Sequence, residues 1–497
     1  MRGFTSLARC VCKLPPSVDC PLRVKLSDAK RACPFMKNVS HVDQELVSEM
    51  APMCPVMSKM PSSVTIENDT EPGESVCDYK AESRELMRET YETKFEENIT
   101  KLHAEGRYRY FANLKRHCGS FPQATYRSSA ESSDLEIRIF CSNDYLGMGQ
   151  HPTVLSACHS ALEEAGAGAG GTRNISGNTR YHVELEHELA SLHDKESALV
   201  MTSCFVANEA ALGVMGKLLP DLLILSDAGN HASMIEGIRH SKCEKQIYKH
   251  NDLNHLEQLL AAQPIERPKM IVFESVYSMS GSISDIAATC TLAKKYNALT
   301  FLDEVHAVGM YGDQGAGVAE QEGVMDMVDI ISGTLGKAYG VGGGYIAGSK
   351  SYVDCVRSFA PGFIFTTAIA PVIAAGALAS VKHLKTSKIE RATQHLRAKQ
   401  LKIKLRQAGL PVMDNPSHIV PVLVGDPIKC KALTDALLFE HKVYLQPINY
   451  PTVDRGTERI RITPGPLHSE ADLDYLTQAI DAQWTLLGLP RYAIKTA

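Results

Sequence analysis

An apolar run, Leu299–Leu302, ends in Asp303-Glu304-Val305-His306, and 34 positions after Asp303 stands Lys337, inside Ser332-Gly333-Thr334-Leu335-Gly336-Lys337-Ala338 and just ahead of Gly340-Val341-Gly342-Gly343-Gly344. Ligands of parallel α/β sheets gather beyond the carboxyl ends of strands, so an acid and an imidazole at such an end mark a cleft. A metal reading of Asp303 and His306 lacks a third ligand at matching spacing, and no metal is expected. Lysine is seldom buried without a task. Desolvation lowers its pKa and provides a neutral amine, which Schiff-base chemistry needs. Alone, Lys337 reads as a surface lysine on a loop. Together with Asp303 it points to pyridoxal 5'-phosphate, whose site takes a Schiff-base lysine and a carboxylate on the pyridinium nitrogen.

A second glycine-rich stretch, Gly166-Ala167-Gly168-Ala169-Gly170-Gly171, formally contains G-x-G-x-x-G. The dinucleotide reading requires a strand just before it and an acid about twenty residues on. Here Val154, Leu155, Cys158 and Leu162 make the preceding segment helical, and Leu185, Leu189 and Leu192 do the same for the following one. A dehydrogenase is therefore disfavoured. The adjoining Thr172-Arg173-Asn174-Ile175-Ser176-Gly177 reads as a substrate loop, whose glycines let backbone approach a ligand.

The elements that must hold these residues alternate. Candidate strands are Glu136–Phe140, Ala198–Met201, Leu222–Leu225, Met270–Phe273, Leu299–Leu302, Val328–Ser332 and Tyr345–Ala347. Helical stretches such as Pro152–Glu164, His182–Leu192 and Asp285–Asn297 lie between them. That order predicts an α/β fold, a mostly parallel sheet covered by helices. A helical pattern through Lys382–Gly409, with strands near Ile419–Val424 and Arg459–Ile462, predicts a smaller α+β unit at the C-terminal end. Ahead of the sheet, Tyr91, Phe95, Ile99 and Leu102 recur at helical spacing up to Gly106.

With 497 residues the chain suits two or three domains. The expected boundaries are 1–80 for a leading arm, 81–145 for a helical arm with short strands, 146–380 for the large catalytic domain and 381–497 for the small one. A net charge of −5 argues against nucleic acid as a partner. No apolar run is long enough to span a membrane. The 14 cysteines are too dilute for a disulfide framework.

Six of those cysteines crowd into the first 77 residues, beside a basic start with seven Lys or Arg and two acids up to Arg31. This is the composition of a mitochondrial transit peptide. Cys precedes Pro three times there, at Cys20, Cys33 and Cys54, the last two inside the near-repeats Arg-Ala-Cys-Pro-Phe-Met and Pro-Met-Cys-Pro-Val-Met. Thiolate is a strong donor to haem iron, and a following proline holds the cysteine backbone extended. These three are expected to be regulatory haem sites. Pro61–Asp78 reads as an acidic linker.

From about residue 82 to 489 the chain resembles the α-oxoamine synthase family of fold-type-I pyridoxal-phosphate enzymes. The resemblance rests on Ser142-Asn143-Asp144-Tyr145-Leu146-Gly147, Gly170 to Gly177, Asp227-Ala228-Gly229-Asn230-His231-Ala232-Ser233, Glu274-Ser275-Val276-Tyr277-Ser278-Met279, Asp303 to Gly309, Gly333 to Lys337, Phe363-Ile364-Phe365-Thr366-Thr367 and Arg459-Ile460-Arg461-Ile462-Thr463-Pro464-Gly465-Pro466. It implies the branch that condenses glycine with succinyl-CoA to 5-aminolevulinate, CoA and carbon dioxide, the first step of haem biosynthesis. It also implies a homodimer with a shared active site. The Cys-Pro repeats agree with an animal form of the mitochondrial matrix.

The resemblance assigns roles. Lys337 is catalytic, as Schiff-base lysine and then general base at the glycine α-carbon. Asp303 holds the ring nitrogen protonated, His231 stacks on the ring, and His306 serves its phenolic oxygen with Ser278 lying beside it. Thr334, the Ser203-Cys204-Phe205 turn, Thr367 and a partner subunit's Thr366 serve the phosphate, the turn through helix N-terminal N–H groups. Arg461 is the fork for the glycine carboxylate, with Arg459 as competing candidate. Arg109, Asn143 and Thr172 handle the succinyl carboxylate, with Tyr145, Arg173, Asn174 and Ile175 around them. Sibling acyltransferases with other acyl-CoA substrates share the roles of Asp303, His306 and Lys337. A haem-sensing protein with an inactive enzyme body is a further alternative, opposed by intact Asp303 and Lys337.

Overall fold

The computed structural model describes residues 23–25, 65–67, 75–128 and 133–492. Cys20, Cys33 and Cys54 lie outside the described residues. Contacts divide the chain into two compact units, residues 1–99 and 100–497. In the first, β1 (Arg23–Lys25) and β2 (Thr65–Glu67) form a parallel pair. Helix α1 (Ser75–Ala104) begins there. The expected linker thus contains a strand and the first turn of a helix, because no Gly or Pro follows Gly73 to stop one. The periodic stripe does form a helix, but Tyr91, Phe95 and Ile99 are exposed on it.

The second unit opens with β3 (Asn113–Arg116), β4 (Gln123–Arg127) and β5 (Leu135–Ile139), an antiparallel meander joined by Val443–Tyr444. The strand expected at Glu136–Phe140 therefore stands outside the parallel sheet. Its buried Ile137 and Ile139 alternate with wetter Glu136 and Arg138, the pattern of a sheet with one dry face.

Next come α2 (Pro152–Ala165), α3 (Arg180–Leu192), β6 (Ser197–Met201), α4 (Cys204–Gly213), β7 (Leu223–Asp227), α5 (Ala232–Ser241), β8 (Glu244–Tyr248) and α6 (Leu253–Ala261). They are followed by β9 (Lys269–Glu274), α7 (Ile286–Lys295), β10 (Ala298–Asp303), β11 (Ile330–Thr334), β12 (Gly344–Gly348) and α8 (Lys350–Phe359). The seven strands β6 to β12 make one sheet in the order β6-β12-β11-β10-β9-β7-β8. Only β12 runs against its neighbours. Alternate side chains feed opposite faces: Leu223, Leu225, Ile271, Phe273 and Leu302 enter one core, and Ile224, Met270, Val272 and Phe301 the other. Two buried faces explain why these strands read as continuous apolar runs. The Gly166–Gly171 stretch lies between two helices, as its flanks predicted.

The long helical pattern from Lys382 is broken into α9 (Pro371–Thr386) and α10 (Ile389–Gln407). Ser387 takes an extended backbone between them, and its hydroxyl donates to Glu390 Oε2 at 2.5 Å, favouring a fresh helix start. Then β13 (Val420–Leu423), α11 (Pro427–His441), β14 (Arg459–Ile462) and α12 (Glu470–Leu486) complete the unit. Strands β13 and β14 pair antiparallel under a core that includes Leu401, Leu437, Ile460, Leu476 and Trp484.

Candidate active site

The register of the parallel strands brings acids together. Asp303 at the end of β10 stands beside Glu274 of β9 and Ser332 of β11. Asp303 is buried, and burial raises its pKa. Two donors oppose that shift: Val305 N–H at 2.8 Å and Asn208 Nδ2 at 2.7 Å. Asn208 is buried on α4, donates also to Ser233 Oγ at 3.1 Å, and keeps an unpartnered Oδ1. Glu274 accepts the His231 N–H at 2.7 Å, which sets the start of α5. Its own pKa is pushed well up, by burial first and by Asp303 second. His231 caps α5 through Nδ1, and its ring meets the exposed Phe205 edge to face with centroids 6.4 Å apart.

Lys337 lies in the turn after β11, where Gly340 N–H donates to its carbonyl at 2.8 Å. Its amine makes no hydrogen bond or ion pair among the described residues. The side chain is half-buried, and desolvation lowers its pKa against the pull of Cys204, Asp303 and Glu274. A half-buried amine without a partner, facing a buried carboxylate, is a site built for a group that supplies the missing contacts. Close by, α4 starts at Ser203, whose Oγ accepts the Val206 N–H at 3.2 Å. Its first N–H groups have no partner within the helix, so they suit an anion. Gly344 allows this start to press on β12: a Cβ there would stand 2.1 Å from Cys204 N. Thr334 is buried, donating to Gly343 O at 3.2 Å while accepting from Gly336 N–H at 3.2 Å. Ser332 Oγ, also buried, accepts or donates no geometric hydrogen bond among the described residues.

On the other side, His306 Nδ1 lies 2.8 Å from the Tyr145 hydroxyl. Burial first, then Lys337 and Arg461, push its pKa well down, so the ring is neutral. Arg461 on β14 is buried and donates to Ser278 Oγ at 2.8 Å and Asn143 Oδ1 at 2.5 Å, with no carboxylate partner among the described residues. Arg459, two residues earlier, bonds the carbonyls of Thr457 at 2.8 Å and Met279 at 3.0 Å. The pair therefore divides: Arg461 is held by neutral side chains and still lacks an anion, while Arg459 fastens backbone.

Other expected residues are placed elsewhere. Each guanidinium nitrogen of Arg173 has an acceptor, Asn178, Val200 O or Glu186. Thr172 Oγ1 donates to Asn174 Oδ1 at 2.6 Å, and Thr172 bridges Thr367 in a short antiparallel contact. Thr366 is half-buried, and Ile175 is 78% exposed. Arg109 is exposed, bonds Thr452 Oγ1 at 3.1 Å, and lines a cavity of about 400 Å³ with Tyr108, Tyr110 and Tyr450. That cavity contains none of Lys337, Asp303 or His231. Asn208 was missed in the sequence, since an asparagine inside a helix carries no spacing signal.

The model of aminotransferase class I and II matches residues 137–480. The 5-aminolevulinate synthase of Rhizobium meliloti is 58% identical over 401 residues, covering 81% of this chain and 99% of its own. The mitochondrial 5-aminolevulinate synthase of Yarrowia lipolytica is 52% identical, with 82% of this chain and 74% of the relative covered. Among solved structures, a serine palmitoyltransferase from Sphingomonas wittichii superposes with a TM-score of 0.73 at 26% identity, covering 81% of this chain and 99% of the other.

Proposed function

The chain belongs to the 5-aminolevulinate synthase family, and from that premise we propose a role for each group in the cleft. It is a pyridoxal-phosphate-dependent acyltransferase that condenses glycine with succinyl-CoA to 5-aminolevulinate for haem synthesis. The residues fit that cofactor: an unpartnered amine at Lys337, a buried carboxylate at Asp303, and a free helix start at Ser203 for the phosphate. When bound, it supplies a sink for the electron pair left on the glycine α-carbon.

Lys337 moves the proton at that carbon, and the desolvation that lowers its pKa favours the basic form of the amine. Asp303 holds a proton on the ring nitrogen, with Asn208 and Val305 fixing its two oxygens. Neutral His306, turned by Tyr145, leaves Nε2 for the ring's phenolic oxygen. Cys204 and Phe205 N–H groups, with Thr334, serve the phosphate. Arg461 pairs with the glycine carboxylate, an anion its neutral partners Ser278 and Asn143 do not replace. The new carbon–carbon bond forms at the succinyl carbonyl as CoA leaves, and the glycine carboxyl is then lost as carbon dioxide.

The observation that carries the assignment is the unpartnered Lys337 amine beside buried Asp303. Arg109 lies outside this cleft within one chain, and Phe111, Phe365 and Ile175 are 94%, 79% and 78% exposed. Both facts support a homodimer in which Arg109 and Thr366 complete the partner's site, placing Thr172 and Asn143 by the succinyl group. The leading arm is read as a matrix-targeting presequence whose Cys20, Cys33 and Cys54 bind haem. Domain boundaries near 80, 145 and 380 belong to the same proposal.

Purified protein with pyridoxal phosphate and glycine tests the substrate assignment when CoA release is compared across succinyl-, acetyl- and long-chain acyl-CoA. Strong preference for succinyl-CoA is expected. Preference for another acyl-CoA would reject the assigned succinyl contacts.

A further inference from the structure

A hydrogen-bond chain outside the cleft ends at Ser280, in the hairpin tip that also carries the contacts of Arg461 and Arg459. Asp227, buried at the end of β7, accepts at Oδ1 from His250 Nδ1 at 2.8 Å and Gly229 N–H at 2.7 Å, and at Oδ2 from Asn251 N–H at 2.9 Å. His250 Nε2 lies 2.8 Å from Ser282 Oγ, which lies 2.7 Å from Ser280 Oγ. Beside it, Asn251 Oδ1 accepts from Ser284 Oγ at 2.8 Å. The loop after β8 thus grips the segment after β9 at two points.

That segment is a hairpin. Val276 bridges Ile283, Tyr277 N–H donates to Ser282 O at 3.0 Å, and Gly281 N–H donates to Tyr277 O at 2.9 Å. Its tip is Ser278 to Gly281. Ser278 Oγ receives Arg461, and the Met279 carbonyl receives Arg459. Gly281 takes φ +73°, and a Cβ there would stand 2.6 Å from Asn415 Oδ1, so the tip is also pressed against the small unit's loop.

The order Asp–His–Ser is that of a nucleophilic triad. Here, however, Ser282 Oγ already has Ser280 as a second partner, and its residue is paired into the hairpin. With Nδ1 donating to Asp227, Nε2 of His250 accepts the Ser282 hydroxyl, so each member of the chain has a partner, as a fixed strut requires.

We propose that Asp227, His250, Ser282 and Ser280 form a positioning relay that sets the hairpin tip and, through Ser278, the guanidinium of Arg461 for the glycine carboxylate. The inference rests on the reading of Arg461 as the glycine fork. None of the four touches substrate. A neutral hydrogen bond lost from a half-exposed strut corresponds to a change of about 3- to 10-fold.

The test uses the full-length holoenzyme. Ser282→Ala is expected to raise the glycine KM by about 3- to 10-fold, with kcat and the succinyl-CoA KM held within about 2-fold. Ser282→Thr, which keeps the hydroxyl, restores glycine KM. His250→Asn matches Ser282→Ala, and the double variant is no worse than either, because both break one chain. An unchanged glycine KM in Ser282→Ala, or a loss shared equally by both substrates with a lowered melting temperature, overturns the relay. Arg461→Lys separates the layers. If it raises glycine KM while Ser282→Ala does not, only the relay fails; if it leaves glycine KM unchanged, the reading of Arg461 falls as well.

Discussion

Asn208→Leu is the sharpest probe of the cleft. The residue is 1% exposed, and leucine keeps roughly its shape while removing both donated bonds. One of them, at 2.7 Å to Asp303, is donated to a buried acid. A hydrogen bond to a charged partner contributes about 1.5–3 kcal/mol, a factor of about 10–150 in a binding constant. Asp303 retains Val305 N–H, so the lower half of that range applies, about 10- to 30-fold. The carboxylate then prefers its neutral form more strongly and holds a ring-nitrogen proton less well. Titration of apoenzyme with pyridoxal phosphate, followed by cofactor absorbance, should show that weakening. At saturating cofactor kcat should still fall, since the proton on the ring is needed in each turnover. Ser233→Ala, which removes only the 3.1 Å bond, should change cofactor affinity by less than about 3-fold. Cofactor affinity within 2-fold of the parent for Asn208→Leu, while Asp303→Ala abolishes binding, would refute the argument.

Lys337→Ala should lose turnover by at least about 10³-fold with an unchanged melting temperature, and mixing it with Arg109→Ala should restore activity through mixed dimers in which one site is whole. Full-length protein is expected to bind haem, with the Cys33→Ala/Cys54→Ala variant losing the thiolate-type spectrum; an unaltered spectrum would remove those cysteines from the account. Acid stability reads out His193, fully buried with Nε2 on the Tyr345 hydroxyl and pKa lowered to about 3. The unfolded state takes up this proton from about pH 6.5 downward and the native state does not, so stability is complete above 6.5 and falls as pH drops towards 3. His193→Asn should flatten the denaturation midpoint between pH 6 and 4, where one such group removes about 2–3 kcal/mol.

The central sheet was legible because strands with two dry faces leave uninterrupted apolar runs. The edge strand β8, Glu-Lys-Gln-Ile-Tyr, left no such run, since four of its five residues are not buried. The strand at Glu136 was read correctly as a strand but given to the wrong sheet, because pairing partners 300 positions away in Val443–Tyr444 have no local signature. Asp303 and Lys337 announced themselves through type and spacing. Asn208 did not, as its meaning comes only from α4 crossing the end of β10. Arg461 was preferred in the sequence only for its place beside Thr463-Pro464, with Arg459 on the same face of one strand as competing candidate. They part in three dimensions, where the hairpin tip offers one a side chain and the other a carbonyl.

The same burial that makes the strand ends legible also prepares their chemistry. Desolvation pushes Asp303 and Glu274 up and Lys337 down, so each group is driven towards its neutral form in the free protein. A neutral lysine could bond covalently or take a proton, and an acid held by Asn208 and Val305 could pass its proton to an arriving neutral ring nitrogen. Arg461 differs: its guanidinium is buried between Ser278 and Asn143 with no carboxylate partner among the described residues, and on the proposed reading glycine supplies that counter-charge. On that reading, a cleft with one uncompensated guanidinium holds an amino acid by its carboxylate.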